Sequence, residues 1–306
     1  MIERITKDFF FVERGWLNGN HFVFNGRMKA LIDTGYKKDL DLTRHLIEEC
    51  GLKPENVELI ISTHSHCDHI GGNRVIRELS GCEIGMHPLD RYFIETKNDW
   101  CTWWRYYDQE ADFFPVDRSF KDGDVIRLDE VELVVLHTPG HAAGQISLYS
   151  PEQRFLIAAD VVWDGDFGVL TTRIEGGISP FLQQESLEKV AALKISTIYP
   201  GHGPRIDDPQ GAIRRCRKRL ESFLSNPQRL GRDQIKKIIL YTLLAKSGFP
   251  EKEFFAYLEK THWFPEVADL YFEGRYKAVY DDVMDELIKK KLIIRDGDVL
   301  AVTLKA

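Results

Sequence analysis

Metal-ligand side chains stand at the ends of four strand-like runs, and that pattern narrows the folds open to this chain more than any other feature. The run Val57–Ile61 leads into His64-Ser65-His66-Cys67-Asp68-His69, with three histidines and an aspartate inside six residues. Imidazole and carboxylate together suit zinc and similar borderline metals. In an extended backbone His64 and His66 project the same way and can grip one ion. Asp68 and His69 fall on the following turn and can face a second. Gly71-Gly72 then lets the chain turn tightly into a helix. Further along, His141 follows the run Val131–Leu136, Asp160 follows Phe155–Ala158, and His202 follows Ile195–Tyr199. Open α/β folds place their ligands beyond the carboxyl ends of strands. One such residue is ordinary packing, but four strand ends carrying the same chemistry are not explained by a core.

The rest of residues 1–208 alternates between the same two kinds of segment. Strands are expected at Phe9–Val12, His21–Phe24, Lys29–Ile32, Glu83–Met86, Val125–Leu128 and Ile146–Tyr149. Helices are expected at Leu40–Cys50, Asn73–Leu79 and Ser186–Leu193. After Pro209 helical spacing takes over, at Ala212–Leu224, Gln234–Lys246, Lys252–Thr261 and Lys277–Lys291. A hairpin closes the chain, with Leu292–Ile294 and Val299–Val302 around Asp296-Gly297, a strong turn signal. The expectation is an α/β catalytic domain over 1–208 and a small, mainly helical, winged-helix-like domain over 209–306. Basic residues outnumber acidic ones in the second part, although the whole chain carries a net charge of −7.

Composition excludes several classes. Hydrophobic residues make up 43% and charged residues 29%, as in a folded, soluble protein. No apolar run approaches the ~18 residues of a membrane span. The start lacks the apolar core and small-residue cleavage site of a signal peptide, so a cytoplasmic location and no membrane partner are expected. Five scattered cysteines without a C-x-x-C pair form neither a disulfide framework nor a thiolate zinc site.

Over roughly residues 1–208 the sequence resembles the metallo-β-lactamase superfamily. The matches are His64-x-His66-x-Asp68-His69, His141, Asp160 and His202, with Asp33 in Leu31-Ile32-Asp33-Thr34-Gly35 at a further family position. The resemblance implies an αββα sandwich of two mixed sheets with helices outside. It implies one ion on His64, His66 and His141, another on Asp68, His69 and His202, and Asp160 bridging the two. Asp33 would stand behind the metals and orient a ligand by hydrogen bonds; on the residues alone it is equally a turn residue before Thr34-Gly35. Two divalent ions, zinc first and iron or manganese as alternatives, would share a hydroxide that attacks an acyl carbon or phosphorus. Asp68 would accept a hydrogen bond from that nucleophile, and no serine or cysteine nucleophile is needed, Cys67 included.

Departures from other branches narrow the activity. True β-lactamases generally lack the bridging carboxylate, the flavodiiron branch has Glu where this chain has His66, and only 41 residues separate Asp160 from His202, too few for the large insertion of β-CASP nucleases. The pattern is similar to that of glyoxalase II-type hydroxyacylglutathione hydrolases and lactonases, so hydrolysis of a small ester, thioester or lactone is expected. Alternatives are an RNA nuclease or phosphodiesterase, and a mononuclear-iron persulfide dioxygenase. The aromatic segment 100–114 carries Trp103, Trp104 and Tyr107 and reads either as an apolar lid over the substrate or as a helical hairpin on the core. Trp163 and Phe167 either line the same mouth or sit in a surface loop. The tail resembles the winged-helix module of endoribonuclease-like members. Its Arg214–Arg219 run either meets phosphate or is a solvated helix face, and the tail otherwise shapes the substrate entrance or a homo-oligomer contact.

Overall fold

The structure is a computed structural model that describes residues 1–304 of the 306-residue chain. Strands β1 (Ile2–Thr6), β2 (Phe9–Val12), β3 (His21–Asn25), β4 (Lys29–Ile32), β5 (Leu59–Ile61), β6 (Glu83–Met86) and β7 (Arg118–Ser119) form one sheet in chain order. It is antiparallel from β1 to β4 and parallel from β4 to β7. The second sheet runs from β8 (Val125–Leu128) through β9 (Val131–His137), β10 (Ile146–Ser150) and β11 (Phe155–Ala159) to β12 (Thr197–Pro200). Only its β11–β12 pair is parallel.

Period-two alternation explains why the sheets stack. Phe9, Phe11, Phe22, Phe24, Ala30, Ile32, Leu59 and Ile61 face inward from the first sheet. They meet Leu133, Val135, Ile146, Leu148, Phe155, Ile157 and Tyr199 from the second. The intervening residues face outward and are covered by helices. Val23, Leu31, Ile60 and Ile84 pack with Ile47 of helix Leu40–Glu49 and Ile76 of helix Asn73–Ser80. Leu156, Ala158 and Ile198 pack with Leu187 and Val190 of helix Ser179–Ala191. Ala212, Ile213, Cys216 and Leu220 of helix Pro209–Ser225 join that same layer. This is the αββα sandwich expected.

Beyond it lies a helical core. Helices Pro227–Ala245, Glu251–Leu258, Trp263–Phe272 and Tyr276–Lys289 surround Ile235, Ile239, Phe254, Trp263, Phe264 and Val283. They are closed by a small sheet in the order β13 (Phe249–Pro250), β15 (Val299–Val302), β14 (Ile293–Asp296). Helix Trp263–Phe272 was hidden in the sequence by Pro265, but that proline sits in the first turn, where no backbone N–H is required. No helix among the described residues is long and apolar enough to cross a membrane.

The aromatic segment is not the helical hairpin that was one of its two expected forms. Between helix Pro88–Glu95 and β7 it makes turns and no helix. Trp103, Tyr106 and Tyr107 enter the C-terminal helical core, whereas Phe114 enters the layer over the first sheet. The segment thus sews the two parts of the chain together.

Candidate metal centre

The cluster gathers where β4, β5, β9, β11 and β12 end. After β5, His64 and His66 lie on the loop that follows, His66 in extended backbone, and the single turn Cys67–Ile70 carries Asp68 and His69. The chain takes left-handed turns as it leaves β4 and β11, with φ +58° at Asp33 and +48° at Ala159, next to Asp160. Strain of this kind collects at functional sites. Two loops close on the cluster only because they carry glycine. A Cβ on Gly168 would lie 2.3 Å from His141 Nδ1, and one on Gly201 2.0 Å from Asp160 Oδ1.

All seven residues singled out in the sequence converge. His64, His66 and His141 offer ligand atoms within 4.8 Å of one another, and so do Asp68, His69 and His202. A third set, His64, His69 and Asp160, links the two. Asp160 lies between them, with Oδ2 3.2 Å from His141 Nε2 and 3.9 Å from His202 Nε2, and Oδ1 3.7 Å from His69 Nε2. His202 Nε2 is 3.1 Å from Asp68 Oδ2.

Groups behind the cluster fix the rings. Asp33 Oδ2 lies 2.8 Å from His69 Nδ1 and accepts from Thr63 Oγ1 at 2.7 Å, while Oδ1 accepts from Thr63 N at 2.8 Å. Thr63 Oγ1 lies 3.1 Å from His64 Nδ1. The carbonyl of Val169 lies 2.8 Å from His141 Nδ1. Trp163 Nε1 donates to Asp160 Oδ1 at 3.2 Å.

The donor set fits divalent cations. His64, His66 and His69 are fully buried, yet the Nε2 of each lacks a hydrogen-bond partner. Buried polar atoms rarely go unpaired. Burial, together with neighbouring imidazoles, holds His64 and His66 well below the ordinary histidine range, so both stay neutral, as ligands must be. Burial also opposes charge on His69, but the carboxylates of Asp68, Asp33 and Asp160 prevail and push it up to about 10. Against its own burial, Asp68 is held far below the usual carboxylate range by His69 and His202. Neutral His64 and His66 beside the ionised Asp68, with carboxylates drawing positive charge onto His69, are the electrostatics of a site that attracts a cation.

Of the aromatic candidates, Trp103 stacks on His66 with centroids 3.7 Å apart, and Tyr107 packs against Trp103 at 4.8 Å. Trp163 meets His202 edge-on at 5.0 Å. Trp104 instead packs on Phe113, and Phe167 is buried beside Phe223, so neither ring contacts a cluster histidine. Cys67 is buried, and its thiol donates to Thr102 O at 3.3 Å, tying the aromatic segment down. Burial and Asp68 push that thiol well up, away from the thiolate. Sequence reading missed three neighbours. Trp16 stacks parallel to His202 at 6.1 Å. Asp90 Oδ2 accepts from Ser65 N at 2.7 Å, holding the backbone between His64 and His66. Tyr241, from the C-terminal helix Pro227–Ala245, reaches Asp68 and His202. No spacing rule links Tyr241 to a motif 170 residues upstream, and only the tertiary fold brings it there.

Comparison with known proteins agrees with this geometry. The chain is 30% identical over 141 residues to the hydroxyacylglutathione hydrolase GloC of Haemophilus influenzae, which covers 45% of this chain and 63% of that protein. It is 29% identical over 189 residues to a beta-lactamase-like protein 2 homolog of Caenorhabditis elegans, covering 61% of this chain and 56% of that one. The chain therefore spans less than two thirds of either relative. Among solved structures, the Cronobacter sakazakii metallo-beta-lactamase with a HARLDQ motif superposes with a TM-score of 0.61 at 17% identity, over 73% of this chain and 94% of that one. The native FEZ-1 enzyme of Legionella gormanii gives 0.60 at 15%, over the same shares. At such identities these two speak for the fold alone. The family model of the metallo-beta-lactamase superfamily matches residues 14–202, a span that holds Asp33 and all seven clustered residues, and the chain belongs to that superfamily.

Proposed function

We propose that the chain is a metal-dependent hydrolase of a small thioester, ester or lactone, with a hydroxyacyl thioester as the first substrate to try. The observation that carries this reading is the pair of donor triads meeting at Asp160, with three buried imidazole nitrogens unpaired. Relatives named hydroxyacylglutathione hydrolase support the thioester. His64, His66 and His141 would hold one ion, Asp68, His69 and His202 a second, and Asp160 would serve both. Divalent cations bound there, zinc by preference, supply a nucleophilic water at neutral pH and stabilise charge on the substrate oxygen.

The chain's own residues do the rest. Asp68, kept ionised, accepts a hydrogen bond from the attacking water and aligns it. Asp33 fixes the tautomer of His69 and, through Thr63, steadies His64. Trp103, Tyr107 and Trp163 wall the site with apolar surface, and exclusion of water strengthens every charge interaction inside it. Trp104 and Phe167 would support that wall from behind. The basic run gives RNA little to bind, since Arg215, Arg217 and Arg219 pair with Asp164, Glu188 and Asp233. A single-iron reading leaves the triad of Asp68, His69 and His202 without a task.

Elemental analysis of the full chain purified without added metal, alongside turnover of a thioester, ester and lactone panel, tests the proposal. About two zinc ions per chain are expected, with metal and turnover both falling in Asp160→Ala. No turnover across the panel sinks the hydrolase reading, and one iron per chain moves it to oxygen chemistry.

A further inference from the structure

Helix Pro227–Ala245 turns one face toward the metal centre, and each residue on that face is fastened. Gln234, Lys237 and Tyr241 follow one another at helical spacing. Gln234 Nε2 donates to Tyr107 OH at 2.8 Å. Lys237 Nζ donates to Phe167 O at 2.7 Å and lies 5.2 Å over the Trp163 ring. The phenol oxygen of Tyr241 is 3.2 Å from Asp68 Oδ2 and 3.1 Å from His202 Nε2. Its ring sits 6.0 Å from that of His202, at 75°. The phenol is therefore aimed at two members of one triad, by a helix pinned at the two turns before it.

Two further facts define what it can do. Among the described residues, Thr63 and Tyr241 are the hydroxyls that hydrogen-bond a clustered side chain. Thr63 lies behind His64, on its Nδ1, and is engaged by Asp33, whereas Tyr241 faces the atoms that would face an ion. Tyr241 is also partly exposed as a residue, whereas the seven clustered residues are no more than 4% exposed.

We propose that Tyr241 is a catalytic residue supplied by the C-terminal module, whose O–H donates a hydrogen bond to the substrate oxygen that becomes negative as water adds. The proposal rests on the hydrolase reading above. The phenol keeps its proton throughout. The electron pair of the carbonyl π bond moves to the accepting oxygen and returns when the leaving group departs. The single O–H, which donates to Asp68 in the free chain, turns to that oxygen while the ring stays in place, and deleting one such donor costs about 10²–10³ in kcat.

The test compares wild type, Tyr241→Phe and His202→Ala as full chains. Phenylalanine keeps the ring packing and removes only the hydroxyl. Tyr241→Phe is expected to retain its zinc under chelator and its melting temperature, to lose about 10²-fold in kcat on the panel's best substrate with KM little changed, and to bind inorganic phosphate, a tetrahedral oxyanion, about tenfold more weakly by calorimetry. His202→Ala should lose metal. Unchanged kcat and phosphate affinity in Tyr241→Phe overturn the proposal, and so does loss of zinc, which makes the phenol a ligand instead. A wild type that turns over nothing defeats the hydrolase reading by itself, and the phosphate titration still decides Tyr241.

Discussion

Replacing Asp33 separates the chemistry of its carboxylate from the strain of its backbone. The side chain is 2% exposed and serves three hydrogen-bond partners, Thr63 N, Thr63 Oγ1 and His69 Nδ1. In Asp33→Asn one amide oxygen can still serve two of them, but the amide nitrogen then opposes a third donor. One buried donor left unpaired costs about 1–3 kcal/mol. Asparagine tolerates the left-handed conformation at φ +58°, so the backbone adds little. Asp33→Ala strands at least two donors and loses the short polar side chain that favours the left-handed conformation, a further cost of at most about 1–2 kcal/mol. His69 loses its orienting partner in Asp33→Ala and keeps only a neutral amide oxygen in place of a carboxylate in Asp33→Asn, and such losses cost about 10–100-fold in metal affinity. Zinc competition against a chromophoric chelator at neutral pH should therefore show Asn weakened by about tenfold or more, and Ala weaker still, with a matching order of thermal midpoints. Binding within twofold of wild type in both variants would refute a ligand-orienting role, and equal losses in the two would refute the strain.

Three more perturbations follow from the packing. Asp90 is buried, and burial outweighs its hydrogen bonds from Ser65 and Gly144 and raises its carboxyl to about 7. The unfolded value lies near 3.8, so the folded chain holds a proton that the unfolded chain releases between those limits. Stability should thus fall as pH rises from about 4 to about 7, and Asp90→Asn, which cannot ionise, should lose less than wild type in melts taken at both ends. Lys237→Met leaves Asp166 and Asp233 with Arg219 as their remaining partner, and a drop of about 3 kcal/mol is expected in urea unfolding, with under 1 refuting the network's weight. Trp103→Ala uncovers His66, so chelator should strip zinc from the folded protein faster than from wild type, and an unchanged rate would show that metal leaves by another route.

The sandwich was legible because its strands alternate with period two and its helices do not, and because the clustered histidines and aspartates are close in sequence or sit at strand ends. Strand Glu83–Met86 and helix Asn73–Ser80 emerge within a residue or so of their expected limits, since Ile84 and Met86 on the outer face of the first sheet and Ile76 on the helix over it share one buried layer. What stayed hidden depends on contacts between distant parts of the chain. Trp103 and Trp104 are adjacent and chemically alike, yet one stacks on His66 while the other packs on Phe113. A left-handed residue at Trp103, φ +68°, turns the two rings apart, and no sequence pattern announces it. Helix Pro227–Ala245 is a similar case. Helical spacing predicts a helix over Gln234–Lys246, and the structure has one over Pro227–Ala245, but Tyr241 falls within an apolar stretch that does not set it apart from a core aromatic. A residue that is amphipathic by design, apolar in its ring and polar at its tip, satisfies the packing rule and the chemistry at once. Reading such residues requires knowing what the tip meets, and here it meets Asp68 and His202. The helical module is therefore not only a neighbour of the metal centre but one of its walls.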